Sequence, residues 1–89
     1  MKNRYLEITY RKGRALAAYL YLNKKGDAKS FRSQKLSDGL VADFDETGRL
    51  IGLEIISPES VTIAEINSAL EQMKEMPVPE NELAPLMAA

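Results

Sequence analysis

A chain of 89 residues makes one domain, and at this size only about 60% of the unfolded surface is buried on folding, so the core is small. With no cysteine and no histidine there is neither a disulfide staple nor a Cys/His set for a structural metal, which leaves homo-oligomerisation as the expected way to enlarge that core. The formal net charge of −1 conceals a division: residues 1–35 hold ten Lys/Arg against Glu7 and Asp27, or +8, whereas residues 36–89 hold Arg49 and Lys74 against eleven acids, or −9.

That split suits a small domain that places its own opposite charges side by side on adjacent strands. The absence of cysteine fits a cytoplasmic protein. The longest apolar run, Ala15 to Leu22, is too short for a membrane span, and the charged–apolar alternation of residues 1–14 does not fit a signal peptide.

Taken in order, Tyr5 to Tyr10 alternates with Leu6, Ile8 and Tyr10 on one face, which predicts a half-buried first strand. The segment Arg11-Lys12-Gly13-Arg14 is a glycine-bearing turn. Ala15 to Leu22 predicts a second strand with Leu16, Ala18, Leu20 and Leu22 inward. Its outward face, Ala15, Ala17, Tyr19 and Tyr21, is more apolar than a solvated face usually is and should be covered by something. After a polar turn at Asn23 to Asp27, Ser30 to Leu36 is a third strand with only Phe31 and Leu36 as apolar anchors.

The segment from Leu40 to Ile56 is the strongest local signal. Two apolar-alternating runs flank Asp45-Glu46-Thr47-Gly48, which predicts a hairpin closed by a type I turn, with Asp45 accepting turn amides and Gly48 in the left-handed position. Leu40, Ala42 and Phe44 share one face of the first arm. The second arm is apolar on both sides, so it should be central in the sheet. Ser57-Pro58 ends the sheet. Thr62 with Glu65 forms a capping box, and Ile63, Ile66, Leu70 and Met73 recur at helical spacing, predicting a helix over residues 62–75 packed on the sheet. The remaining residues, 77–89, contain three prolines and two acids without a period and are expected to form a mobile tail whose deletion costs little stability. The expected fold is therefore α+β: an antiparallel β-meander of about five strands, then one C-terminal helix, with residues 1–76 as the domain and 77–89 as a flexible, proline-containing tail.

With these elements in place, the chain resembles the small bacterial family known as domain of unknown function 2283. The resemblance rests on residues 15–20 of strand two, residues 36–45 leading into the turn, and residues 48–56 leaving it, within a span of about residues 4–75. It implies a β-meander followed by a helix and no established activity. Some relatives are suspected antitoxins, which would make the chain a hetero-partner module. The basic first turn departs from the family, where this turn is usually acidic, and the family offers no catalytic residues to carry over.

Several constellations bear on function. Asp43, Asp45, Thr47, Gly48 and Glu54 approach the spacing of a calcium-binding EF-hand loop, but strands rather than helices flank the glycine, so a plain hairpin turn is expected. Without His or Cys, catalysis would fall on carboxylates, and the cluster of Asp43, Asp45 and Glu46 belongs to a turn that solvent reaches. No catalytic, cofactor-binding or metal-binding residue is therefore expected, and the chain is not read as an enzyme. Arg11, Lys12, Arg14, Lys24, Lys25 and Arg32, with Lys29 and Lys35, are interleaved with Tyr10, Tyr19, Tyr21 and Phe31, a set that would suit nucleic acid if one sheet face presented both. Protein–protein association ranks first, with Ala15, Ala17, Tyr19 and Tyr21 as the interface of a homodimer and a hetero-partner on the same face, or on the tail, as the alternative.

Overall fold

The computed structural model describes residues 4–22 and 29–87. The polar turn expected at Asn23 to Asp27, and with it Lys24 and Lys25, lies outside the described residues. Five strands, β1 (Tyr5–Arg11), β2 (Arg14–Tyr21), β3 (Arg32–Ser37), β4 (Leu40–Phe44) and β5 (Leu50–Ile55), form one antiparallel sheet. A short 3-10 turn at Pro58–Ser60 leads to helix α1 (Ile63–Gln72), and a second helix, α2 (Glu80–Met87), follows.

The strand order is β1-β2-β5-β4-β3. The expected simple meander is thus corrected at one connection: β3, β4 and β5 form a meander, but β2 pairs with β5 rather than with β3. Burial explains the order. In β5 only Glu54 is exposed, so this apolar strand takes the centre. The polar β3, RSQKLS, is exposed over most of its length and takes an edge, where lysine and arginine discourage pairing with other chains.

The turn joining β4 to β5 forms as its residues require. The Asp45 Oδ1 atom accepts hydrogen bonds from the Thr47 amide (2.9 Å), the Thr47 hydroxyl (2.6 Å) and the Arg49 amide (3.0 Å), and Gly48 has φ of 87°. The carboxyl of Asp45 is held below its ordinary range, first by the Thr47 hydroxyl and then by the Arg49 amide.

One face of the sheet is covered. Ala18 and Leu20 of β2, Leu53 and Ile55 of β5 and Leu40 and Ala42 of β4 pack in one buried cluster with Ile66, Ala69 and Leu70 of α1. Ile63 and Met73 lie partly buried against it, so the helical stripe predicted by the 3.6-residue spacing is the packed one. Thr62 caps α1 by accepting the Glu65 amide at 3.1 Å.

The same cluster contains Val78, Leu83 and Leu86. Residues 80–87 are therefore a docked helix where the sequence pattern suggests a mobile tail, and the fold has two helices rather than one. Leu83 and Leu86 at helical spacing, with Val78 ahead of the helix, are too few to register as a period, yet each is enclosed. Asn67 of α1 guides the chain there: its amide donates to the Val78 carbonyl at 3.0 Å and its oxygen accepts the Val78 N–H at 2.7 Å.

Two further expectations are corrected at the β1–β2 hairpin. The register shifts between Thr9 and Tyr10, which pair with Ala17 and Ala15, so that β2 carries one extra residue, Leu16, as a bulge; Tyr10, expected inward, is exposed. Leu16, also expected inward, is 51% exposed. It lines a recess beside Ile56 and Pro58 instead of packing in the helix-covered cluster.

Candidate interaction face

The second face of the sheet is lined by residues of opposite parity to the core, and its composition follows from the strand register. One row crosses all five strands: Tyr5 on β1 pairs with Tyr21 on β2, which pairs with Gly52 on β5, which pairs with Asp43 on β4, which pairs with Ser33 on β3. The neighbouring row reads Glu7, Tyr19, Glu54, Val41 and Lys35 in the same strand order.

The aromatic half of this face is built on β1 and β2. Tyr5 and Tyr21 stack with ring centres 4.3 Å apart and planes 16° from parallel. Tyr19 and Tyr21 meet at 4.5 Å with a 49° tilt. The Tyr21 hydroxyl donates to Glu7 Oε1 at 3.2 Å, which fixes the ring across the hairpin. Stacked and tilted aromatic pairs add about 0.5–1.5 kcal/mol beyond the area they bury.

The polar half is organised by Tyr19. Its ring leans diagonally over the side-chain-free Gly52, and its hydroxyl donates to Asp43 Oδ2 on the next strand at 2.8 Å. The other oxygen, Oδ1, accepts from the Ser33 hydroxyl at 2.6 Å. Asp43 is only 6% exposed, so its carboxylate depends on these two donors in place of water. Burial pushes the Tyr19 hydroxyl far above its ordinary range, with the Asp43 hydrogen bond and charge adding to it. Partial burial, then the Glu7 charge, raises Tyr21 as well.

Of the four interface residues expected from the sequence, Tyr19 and Tyr21 anchor this face and Ala17 shares it with them, pairing with Thr9 of β1. Ala15 lies past the bulge, paired with Tyr10, and lines the recess at the hairpin end. The reading of Asp43 as part of a solvated turn is corrected: it lies within β4 and is buried. Asp43, Gly52 and Ser33 were missed as a group, although glycine inside an otherwise apolar central strand was a signal of close approach by another side chain.

The basic residues are distributed differently. Arg11, Lys12 and Arg14 cluster at the β1–β2 hairpin end, where Lys12 (φ 55°) and Gly13 (φ 80°) turn the chain. Arg32 has the parity of the core face and lays its guanidinium 4.2 Å from the centre of the Phe44 ring. The tyrosines share their face with Glu7, Glu54 and Asp43, and Lys35 is the one basic residue in the two rows described, while Arg11, Lys12, Arg14 and Arg32 lie elsewhere. Among the described residues no helix is long and apolar enough to cross a membrane, and no group of three or more acidic side chains could hold a metal ion.

Residues 17–57 match a family model described as Protein of unknown function (DUF2283), the family that the hairpin residues resemble. The matched stretch contains Tyr19, Tyr21, Ser33, Asp43, Gly52 and Glu54, and thus the polar centre of the open face, whereas Tyr5, Glu7 and both helices lie outside it. No curated protein and no solved structure matches the chain.

Proposed function

We propose that this chain, with the DUF2283 stretch holding β3, β4, β5 and the second half of β2, works by protein–protein association, and that a second copy of the chain packs on the open sheet face. The observation that carries this reading is the Tyr5–Tyr21–Tyr19 ladder on the face opposite both helices. Tyrosine is enriched where surfaces associate, because a rigid ring buries much area at small entropic cost while its hydroxyl stays hydrogen-bonded. An isologous dimer applies one patch twice and so enlarges the small core of a chain this size with no further structure. The network beneath the patch holds Tyr19 and Tyr21 in place before association, which lowers the ordering cost of binding.

This reading assigns no catalytic activity. The buried acid of the face is engaged by two hydroxyl donors, and the sequence has neither histidine nor cysteine to serve as base or nucleophile.

The test is molar mass by light scattering across a concentration series, for the wild type and for Tyr21→Asp. The expected result is twice the chain mass for the wild type and the single-chain mass for the variant, which places a charge in the desolvated contact. A monomeric wild type at every concentration would refute the homodimer, and an unchanged mass in the variant would move the interface off this face.

A further inference from the structure

At the end of the sheet farthest from the β4–β5 turn, the β1–β2 hairpin and the segment that leaves β5 enclose a recess of about 570 Å³. Its walls differ in character. Leu16 and Ile56, 51% and 47% exposed, supply aliphatic surface, with Pro58 beside them. Arg11, Lys12 and Arg14 stand along the same recess, opposed by Glu59 alone. The Arg14–Glu59 contact is long, 3.9 Å, and both side chains are about four-fifths exposed, so it is readily exchanged for another partner. The left-handed backbone at Lys12 and Gly13 turns the hairpin tip, and Arg11, Lys12 and Arg14 on either side of it line the one recess.

We propose that this recess binds an acidic segment of a protein partner, with one or two aliphatic side chains of that segment seated on Leu16 and Ile56 and its carboxylates met by Arg11, Lys12 and Arg14. Charge complementarity selects the sign of the occupant: three cations face one acid, and arginine forks suit carboxylates. The apolar wall selects its class. Among the described residues lining the recess there is no aromatic ring on which a base could stack, which disfavours a nucleic acid strand. Leu16 and Ile56 line a concavity rather than project from the surface, which disfavours insertion into a lipid bilayer. The recess shares no lining residue with the hollow that Tyr19, Tyr21 and Glu54 line on the open face.

The experiment is fluorescence anisotropy with a short labelled peptide carrying two leucines among glutamates and aspartates. Amide chemical shifts of the full chain are followed in parallel. The expected result is saturable binding in the range of about 10–100 μM, typical of a small contact, with shifts concentrated at Arg11, Lys12, Arg14, Leu16 and Ile56. Affinity should fall at least about tenfold in Arg14→Glu, in Leu16→Ser and with a leucine-to-serine peptide, one factor of ten being the loss of a single good contact. Raising salt from about 50 to about 500 mM should weaken it further. Because Arg14 and Leu16 are exposed, these variants are expected to keep the thermal midpoint of the wild type. No saturation below about 1 mM, or binding indifferent to both substitutions, would overturn the proposal. So would tighter binding of a single-stranded oligonucleotide or of anionic phosphatidylserine vesicles at the same residues.

Discussion

The ring of Tyr19 occupies the space in which position 52 would carry a side chain: a methyl group on Gly52 would lie 2.6 Å from the Tyr19 hydroxyl oxygen and 2.7 Å from Cζ. Both distances are far inside van der Waals contact, so the two positions exclude each other. Gly52→Ala should displace the ring, strip Asp43 of one of its two donors and cost about 2–4 kcal/mol, the sum of overpacking and a lost bond to a buried charge. Urea melts of Gly52→Ala, Tyr19→Ala and the double variant form a cycle that should show coupling of at least about 1 kcal/mol. Additive effects would mean the ring does not depend on the glycine.

A pH dependence follows from the same tyrosine. Its hydroxyl titrates higher in the folded protein than in the unfolded chain, so the stabilisation is complete below the ordinary tyrosine value, about 10, and is lost as pH rises from there toward the folded value. The urea midpoint of the wild type should therefore hold up to about pH 9.5 and fall progressively above about pH 10. Tyr21 adds to the drop in the same sense. Tyr19→Phe should start lower and fall less steeply, and equal slopes in the two proteins would exclude Tyr19 as the source.

Just past the C-terminus of helix α1, Lys74 carries a conformational penalty. The Lys74 amide donates to Glu71 at 3.0 Å and the Glu75 amide to Leu70 at 2.8 Å, a closing pattern that needs left-handed backbone, and Lys74 has φ of 62°. Replacing Lys74 by glycine should stabilise the protein by about 0.5–1 kcal/mol, or raise the thermal midpoint by about 2–8 °C. Lys74→Ala, which keeps the strain, should not, and equal midpoints for the two variants would rule out backbone relief as the cause.

The docked second helix reverses the expectation that residues 77–89 are dispensable. Leu83 is fully enclosed, so Leu83→Ala should cost about 2–5 kcal/mol and lower the midpoint by at least about 8 °C. Asn67→Ala leaves the Val78 N–H and carbonyl without their side-chain partner and should cost about 1–3 kcal/mol. Calorimetry of both variants and of a chain ending at Pro77 checks this. A truncated chain within about 2 °C of the wild type, where 1 kcal/mol moves the midpoint of so small a domain by 4 °C or more, would return the segment to a tail.

Local chemistry was legible wherever a few adjacent residues decide the outcome. Asp45 and Gly48 dictate their turn, Thr62 with Glu65 starts a helix, Ile66 and Leu70 mark its buried stripe, and a strand apolar on both sides, Leu50 to Ile55, announces that it is central. Each of these depends on hydrogen bonds or burial within a few residues along the chain, so spacing alone exposes them.

Tertiary structure decided what depends on residues far apart. The pairing of β2 with β5 brings Tyr19 to Gly52 and Asp43, and no periodicity along either strand encodes that register. The fate of Leu16 and Tyr10 turned on a bulge, and that of residues 78–86 on a ready-made cluster into which Val78, Leu83 and Leu86 fit. Packing is a contact between surfaces, so a short polar-looking segment becomes core once a complementary surface exists to receive it.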